Sequence, residues 1–88
     1  MLRVETTSRF EKMLVRFVKT HPDLKERMRT IMKQLSRDPR STQSKVHALS
    51  GPMRGCFAAS ITFRYRIVFI LEPDTIWFIG IGSHDEVY

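Results

Sequence analysis

Two hydrophobic periods divide the chain. Between residues 8 and 37 apolar side chains recur three and four positions apart, the spacing of a helix with one buried face. Phe10, Met13, Leu14, Phe17 and Val18 form the first stripe, with Arg9, Glu11, Lys12, Arg16 and Lys19 off it. Leu24, Met28, Ile31, Met32 and Leu35 form the second. Thr7 or Ser8 supplies an N-cap for the first helix. His21-Pro22-Asp23 separates the two helices. Pro22 suits the first position of the second helix and Asp23 its positive end. Asp38-Pro39 closes that helix, and Leu2–Glu5 is short enough for a leading strand. The two stripes predict a helical hairpin lying on one core.

After the polar stretch 40–44, which reads as a loop, the period changes to two. Val46–Leu49 predicts a short strand, with a turn at Ser50-Gly51-Pro52. In a strand over Phe57–Arg64, Phe57, Ala59, Ile61 and Phe63 face the core and Ser60, Thr62 and Arg64 face out. Tyr65–Leu71 is a dense β-forming run in which Arg66 keeps the parity of Arg64. Glu72-Pro73-Asp74-Thr75 reads as a turn and Ile76–Ile81 as the last strand. The predicted fold class is α+β: a short N-terminal strand and a two-helix hairpin packed on an antiparallel sheet, in one domain over residues 1–88.

Charge narrows the function. Fifteen Lys and Arg against nine Asp and Glu give a formal net charge of +6, which favours an acidic partner. From Pro39 to Leu71 there is no Asp or Glu, while Lys45, Arg54, Arg64 and Arg66 all fall there, with His47 among them. A surface free of carboxylates suits phosphate binding. We therefore expect Lys45, Arg54 and Arg64 to face the phosphates of such a partner. The apolar runs Ile67–Leu71 and Ile76–Ile81 are far too short for a membrane span, so no membrane partner is expected. The opening MLRVETTSRF has no apolar core of a signal peptide. Cys56 is the lone cysteine, which leaves no internal disulfide and fits a reducing, cytoplasmic setting. His21, His47 and His84 lack metal-ligand spacing, and His21 reads as a helix-boundary residue.

The chain stops on IGIGSHDEVY, with a histidine, two acids and a tyrosine where chain ends usually fray. Together with HALSGPMRGCFAASITFRYRIVFIL, this ending resembles the RelE/ParE superfamily of small toxins from toxin–antitoxin pairs. His47, Leu49 and Gly51, and the GSHDEVY terminus, are most similar to the YafQ and YoeB branch of messenger-RNA endonucleases. The resemblance spans nearly the whole chain. It implies a RelE-like fold and an endoribonuclease that uses no metal or other cofactor. It implies two partners, mRNA in the ribosomal A site and a cognate acidic antitoxin. In such chemistry the 2′-hydroxyl attacks the adjacent phosphate. A base takes its proton, cations hold the phosphate, and an acid protonates the leaving 5′-oxygen.

Carried over residue by residue, the resemblance implies four catalytic positions. His47 stands where YafQ-like toxins keep a catalytic histidine and YoeB-like ones a glutamate. Arg66 matches the arginine that contacts the scissile phosphate, and its planar fork suits two phosphate oxygens. His84 matches the C-terminal histidine, the side chain that titrates nearest neutral pH. Tyr88 matches a terminal aromatic able to stack on a base. The sequence departs from the YafQ pattern at Ser60 and Arg64, where those members have a histidine and an aspartate. Two other readings share the fold: a ParE-like gyrase inhibitor with no need of His47 and His84, and an inactive member that binds only antitoxin or RNA.

Overall fold

The computed structural model describes residues 1–40 and 45–88; most of the predicted 40–44 loop lies outside them. In chain order the elements are β1 (Arg3–Thr6), α1 (Ser8–Thr20), a 3-10 turn at Pro22–Leu24 and α2 (Lys25–Arg37). There follow β2 (His47–Ala48), a second 3-10 turn at Gly51–Met53, β3 (Phe57–Ser60), β4 (Tyr65–Leu71), β5 (Thr75–Ser83) and α3 (His84–Val87). Thr7 caps α1, its Oγ1 accepting from the Phe10 N–H at 3.1 Å. Pro22 opens the 3-10 turn rather than the second helix itself, which begins at Lys25.

The five strands run in the order β1-β5-β4-β3-β2. The sheet is mixed, not wholly antiparallel. Strands β2 to β5 form the expected meander, but β1 lies parallel to β5, pairing Arg3 with Thr75 and Thr6 with Phe78. The α1–α2 hairpin between β1 and the meander is long enough to return the chain for parallel pairing. Leu2 N–H donates to the Ser36 carbonyl at 2.9 Å and ties the start of the chain to the end of α2.

Both helices cover one face of the sheet. Phe10, Phe17, Ile31 and Leu35 meet Ile67, Phe69, Ile76 and Phe78 in the main core. The rings of Phe10 and Phe78 stack at 5.8 Å, and Phe69 meets Phe78 edge-on at 6.4 Å. A bulge decides what the other face carries. Val68 pairs with Gly80 but Phe69 pairs with Phe78, so Ile79 is an extra residue in β5. That extra residue reverses the side-chain alternation. Phe78 and Ile81 therefore both face the helices, and Gly80 and Gly82 both face away.

The predicted strand over 57–64 stops at Ser60. The chain turns over residues 61–64, held by Thr62, whose Oγ1 accepts from the N–H groups of Arg64 at 3.2 Å and Tyr65 at 3.3 Å. Phe63 is consequently at the hairpin tip and fully exposed, not in the core. Arg64 sits beside it in the turn, so strand parity does not connect Arg64 to Arg66. The local hydroxyl–backbone bonds outcompete continuation of the β pattern.

Candidate active site

Arg66 is placed by β4, whose register sets it opposite Ser60 on β3 and Gly82 on β5. Cross-strand partners share a face, so Arg66 points away from the helices, on the side where α3 packs. Its Nε is buried without a hydrogen-bond partner. Among the described residues no carboxylate pairs with it. An unpartnered guanidinium nitrogen removed from water is costly, on the order of 1–3 kcal/mol.

The C-terminal tail is ordered by three contacts. Ser83 and Glu86 form a capping box, with the Ser83 N–H donating to Glu86 Oε1 at 2.9 Å. Val87 is buried against Ala58 and Val68. A Cβ at Gly80 would lie 3.6 Å from Val87 Cγ1, so the bare strand gives Val87 its seat. Gly82 is held at φ +150°, and a Cβ there would come within 3.0 Å of Glu86 Oε1. Only glycine meets both demands comfortably. The Ser83 N–H holds the Glu86 carboxyl below the usual glutamate range. The Ser83 side chain adds to this, and the charges of Arg16 and His21 contribute less.

With the tail fixed, His84 and Tyr88 stand one helical turn apart. Their rings meet edge-on at 4.4 Å, and the Tyr88 N–H donates to the His84 carbonyl at 3.0 Å. The Arg66 Cζ lies 5.9 Å from the Tyr88 ring centroid. Tyr88 therefore bridges Arg66 and His84. His84 Nδ1 is 3.6 Å from Asp85 Oδ1, and the His84 side chain is 64% exposed. That separation is too long for a hydrogen bond. The imidazole is open to a ligand.

His47 reaches the same face by register. It pairs with Ala58, which pairs with Val68. Two strand spacings and two residues separate it from Arg66, about 12 Å between Cα atoms. It is exposed. Lys45, just before β2, and Arg54, on the turn before β3, are exposed, whereas Arg64 shares one cleft with Arg66 and His84. Ser60, half-buried across from Arg66, has a hydroxyl where YafQ-like members carry an imidazole.

That cleft, about 1020 Å³ in volume, is larger than the expected site. Arg66, His84 and Arg64 line it, and so do Arg9, Met13, Arg16 and Thr20 of α1. Those four recur at i, i+4, i+7 and i+11, a second helical stripe legible in the sequence but masked by the stronger apolar one. His21 is no mere boundary residue. Its ring lies 4.4 Å from that of Tyr65 and 5.0 Å from that of Phe17, inside the same cleft. Among the described residues no three His, Cys, Asp or Glu side chains converge as a metal site would require.

The architecture has clear relatives among solved structures. YafQ from Escherichia coli superposes with a TM-score of 0.87 at 19% identity, over 100% of this chain and 99% of that one. The fold is that of the RelE/ParE toxins. A YoeB/ParE toxin from Agrobacterium tumefaciens shares this RelE-like fold at TM-score 0.81 and 19% identity, covering 94% and 99% of the two chains. A metal-bound toxin from Helicobacter pylori does so at 0.84 and 26%, covering both chains completely. In E. coli, YafQ is also seen in the DinJ–YafQ toxin–antitoxin complex, whose YafQ chain matches at TM-score 0.84, 21% identity and coverage of 100% and 99%. No family model matches the sequence, and no curated protein does. No described helix is long and apolar enough to cross a membrane.

Proposed function

We propose that the protein is the toxin of a type II toxin–antitoxin pair and cuts mRNA, bound in the ribosomal A site, without a metal. The observation that carries this reading is Arg66. It is a guanidinium with a buried, unsatisfied Nε and no carboxylate partner among the described residues, in one cleft with an exposed imidazole. A structural arginine would be paired. An arginine kept unpaired has donors ready for phosphate oxygens as negative charge builds in the transition state.

In this mechanism Arg66 holds the scissile phosphate. His84 transfers a proton at the 2′-hydroxyl or the 5′-oxygen, and His47 is its counterpart from across the sheet. The Cα atoms of His47 and Arg66 are about 12 Å apart on one face of the sheet, a separation that two long side chains and a nucleotide phosphate can span together. Tyr88 stacks on a base and keeps His84 in place. Ser60 cannot relay a proton as a histidine would, so the acid–base work rests on His47 and His84.

An acidic antitoxin segment, disordered when free, would be drawn to the exposed cations Lys45, Arg54 and Arg64, which no carboxylate neighbours in the sequence from Pro39 to Leu71, and its binding should weaken with salt. A gyrase-directed toxin would have no use for an unpaired arginine next to an open histidine.

The test is mRNA cleavage on programmed ribosomes by wild type, His47→Ala, Arg66→Ala and His84→Ala. Losing a proton-transfer group typically costs about 10²–10⁴-fold. Wild-type rates in all three variants would dismiss this site. Intact mRNA with early arrest of replication in cells would favour the gyrase reading instead.

A further inference from the structure

The cleft extends well past Arg66 and His84. Its α1 wall runs from Arg9 to Thr20. At the rise of an α-helix that is about 16 Å, more than one phosphate needs. The β3–β4 hairpin tip also lines the cleft, and there Phe63 is 100% exposed and adjoins Arg64. An aromatic ring left wholly in water contributes nothing to the core and keeps both faces free. The lining holds four arginines, Arg9, Arg16, Arg64 and Arg66, against two carboxylates, Asp85 and Glu86. Glu86 already accepts from the Ser83 N–H, and Asp85 lies beside His84. Positive charge therefore prevails along the cleft.

Guanidinium groups beside an uncovered aromatic face are what an unpaired nucleotide strand requires: cations for its phosphates and a platform for a base. A paired base has its faces covered by neighbours and gains nothing from Phe63. An acidic peptide would use the arginines and leave the ring idle. We propose that this cleft is a track for single-stranded RNA flanking the scissile phosphate. Phe63 stacks on one unpaired base there, and Arg9, Arg16 and Arg64 hold the phosphates around it. The inference rests on the endonuclease reading for its ligand, but binding and cleavage are measured separately.

The probe is a fluorescent single-stranded 2′-O-methyl RNA oligonucleotide, which lacks the attacking hydroxyl, titrated by anisotropy with the full-length protein. Phe63→Ala should weaken binding about 5- to 150-fold, the range of one lost base–aromatic stack. Its thermal midpoint should stay that of wild type, because the ring touches no core. On an oligonucleotide with abasic sites the two proteins should bind alike. Arg16→Ala should flatten the dependence of log affinity on log salt by about 0.7, the value for one phosphate contact on a single strand. Equal binding by wild type and Phe63→Ala overturns the inference. So does a Phe63→Ala penalty that persists on the abasic strand, or a wild-type protein that binds no oligonucleotide. If the endonuclease reading alone fails, ribosomal mRNA stays intact while binding still depends on Phe63. If this inference alone fails, mRNA is cut and Phe63→Ala binds as wild type does.

Discussion

Replacing Arg66 by methionine should make the protein more stable and inactive at once. Methionine keeps the unbranched stem that lies along the sheet and removes the guanidinium. The buried Nε has no partner. Such an unsatisfied donor costs about 1–3 kcal/mol. Against that gain stands the loss of the contact with the Tyr88 ring, whose centroid is 5.9 Å from the Arg66 Cζ. A cation over an aromatic face contributes about 0.5–1 kcal/mol at an exposed site. The net is a stabilisation of about 0 to 2.5 kcal/mol. For a domain of this size each kcal/mol moves Tm by about 4–8 °C. Cleavage should fall by about 10²–10³-fold, as when a donor to a transition-state oxyanion is lost. Calorimetry or denaturant titration gives the first quantity and cleavage on programmed ribosomes the second. A loss of more than about 1 kcal/mol of stability in Arg66→Met would refute the reasoning, because it would make the arginine a structural tie. Arg66→Lys separates charge from shape. It should recover only part of the activity, since an ammonium cannot offer a bidentate fork.

Three further outcomes follow from the tail. Gly82→Ala forces a side chain onto the left-handed backbone at that position and should displace the Glu86 cap. It should cost about 1–3 kcal/mol, so cleavage falls although the protein folds; unchanged Tm and rate would show the tail tolerates a Cβ there. Glu86 has a folded-state pKa below its ordinary 4.5, so its cap stabilises fully above that value and the stabilisation is lost as pH falls through the lower one. Wild type should therefore lose Tm faster than Glu86→Gln on acidification below about pH 5, and parallel curves would remove Glu86 from the account. His84→Ala should abolish cleavage and still bind antitoxin in a pull-down, with an unchanged Tm because the side chain is mostly exposed; loss of antitoxin binding as well would point to a folding defect.

The local signals carried the helices and most strands. The two apolar stripes, the Thr7 cap and the Asp38-Pro39 stop define α1 and α2 because a helix is shaped by residues three and four apart. The run from Tyr65 to Leu71 and the turn after it define β4 and the approach to β5 for a similar reason. The resemblance pointed to Arg66, His84 and Tyr88, three positions that the fold brings near one another. Three things depended on residues distant in the chain. The parallel pairing of β1 with β5 needs both helices in place between them. The extra residue at Ile79, visible only as a shift of register against β4, turns Gly80 and Gly82 toward α3 and so makes the seat for Val87. The cleft itself brings α1 to the β3–β4 hairpin. Only there do Arg9, Arg16 and His21 from one end of the sequence and Phe63 from its middle face a common space. Side-chain periodicity records which face is buried and not what the exposed face meets.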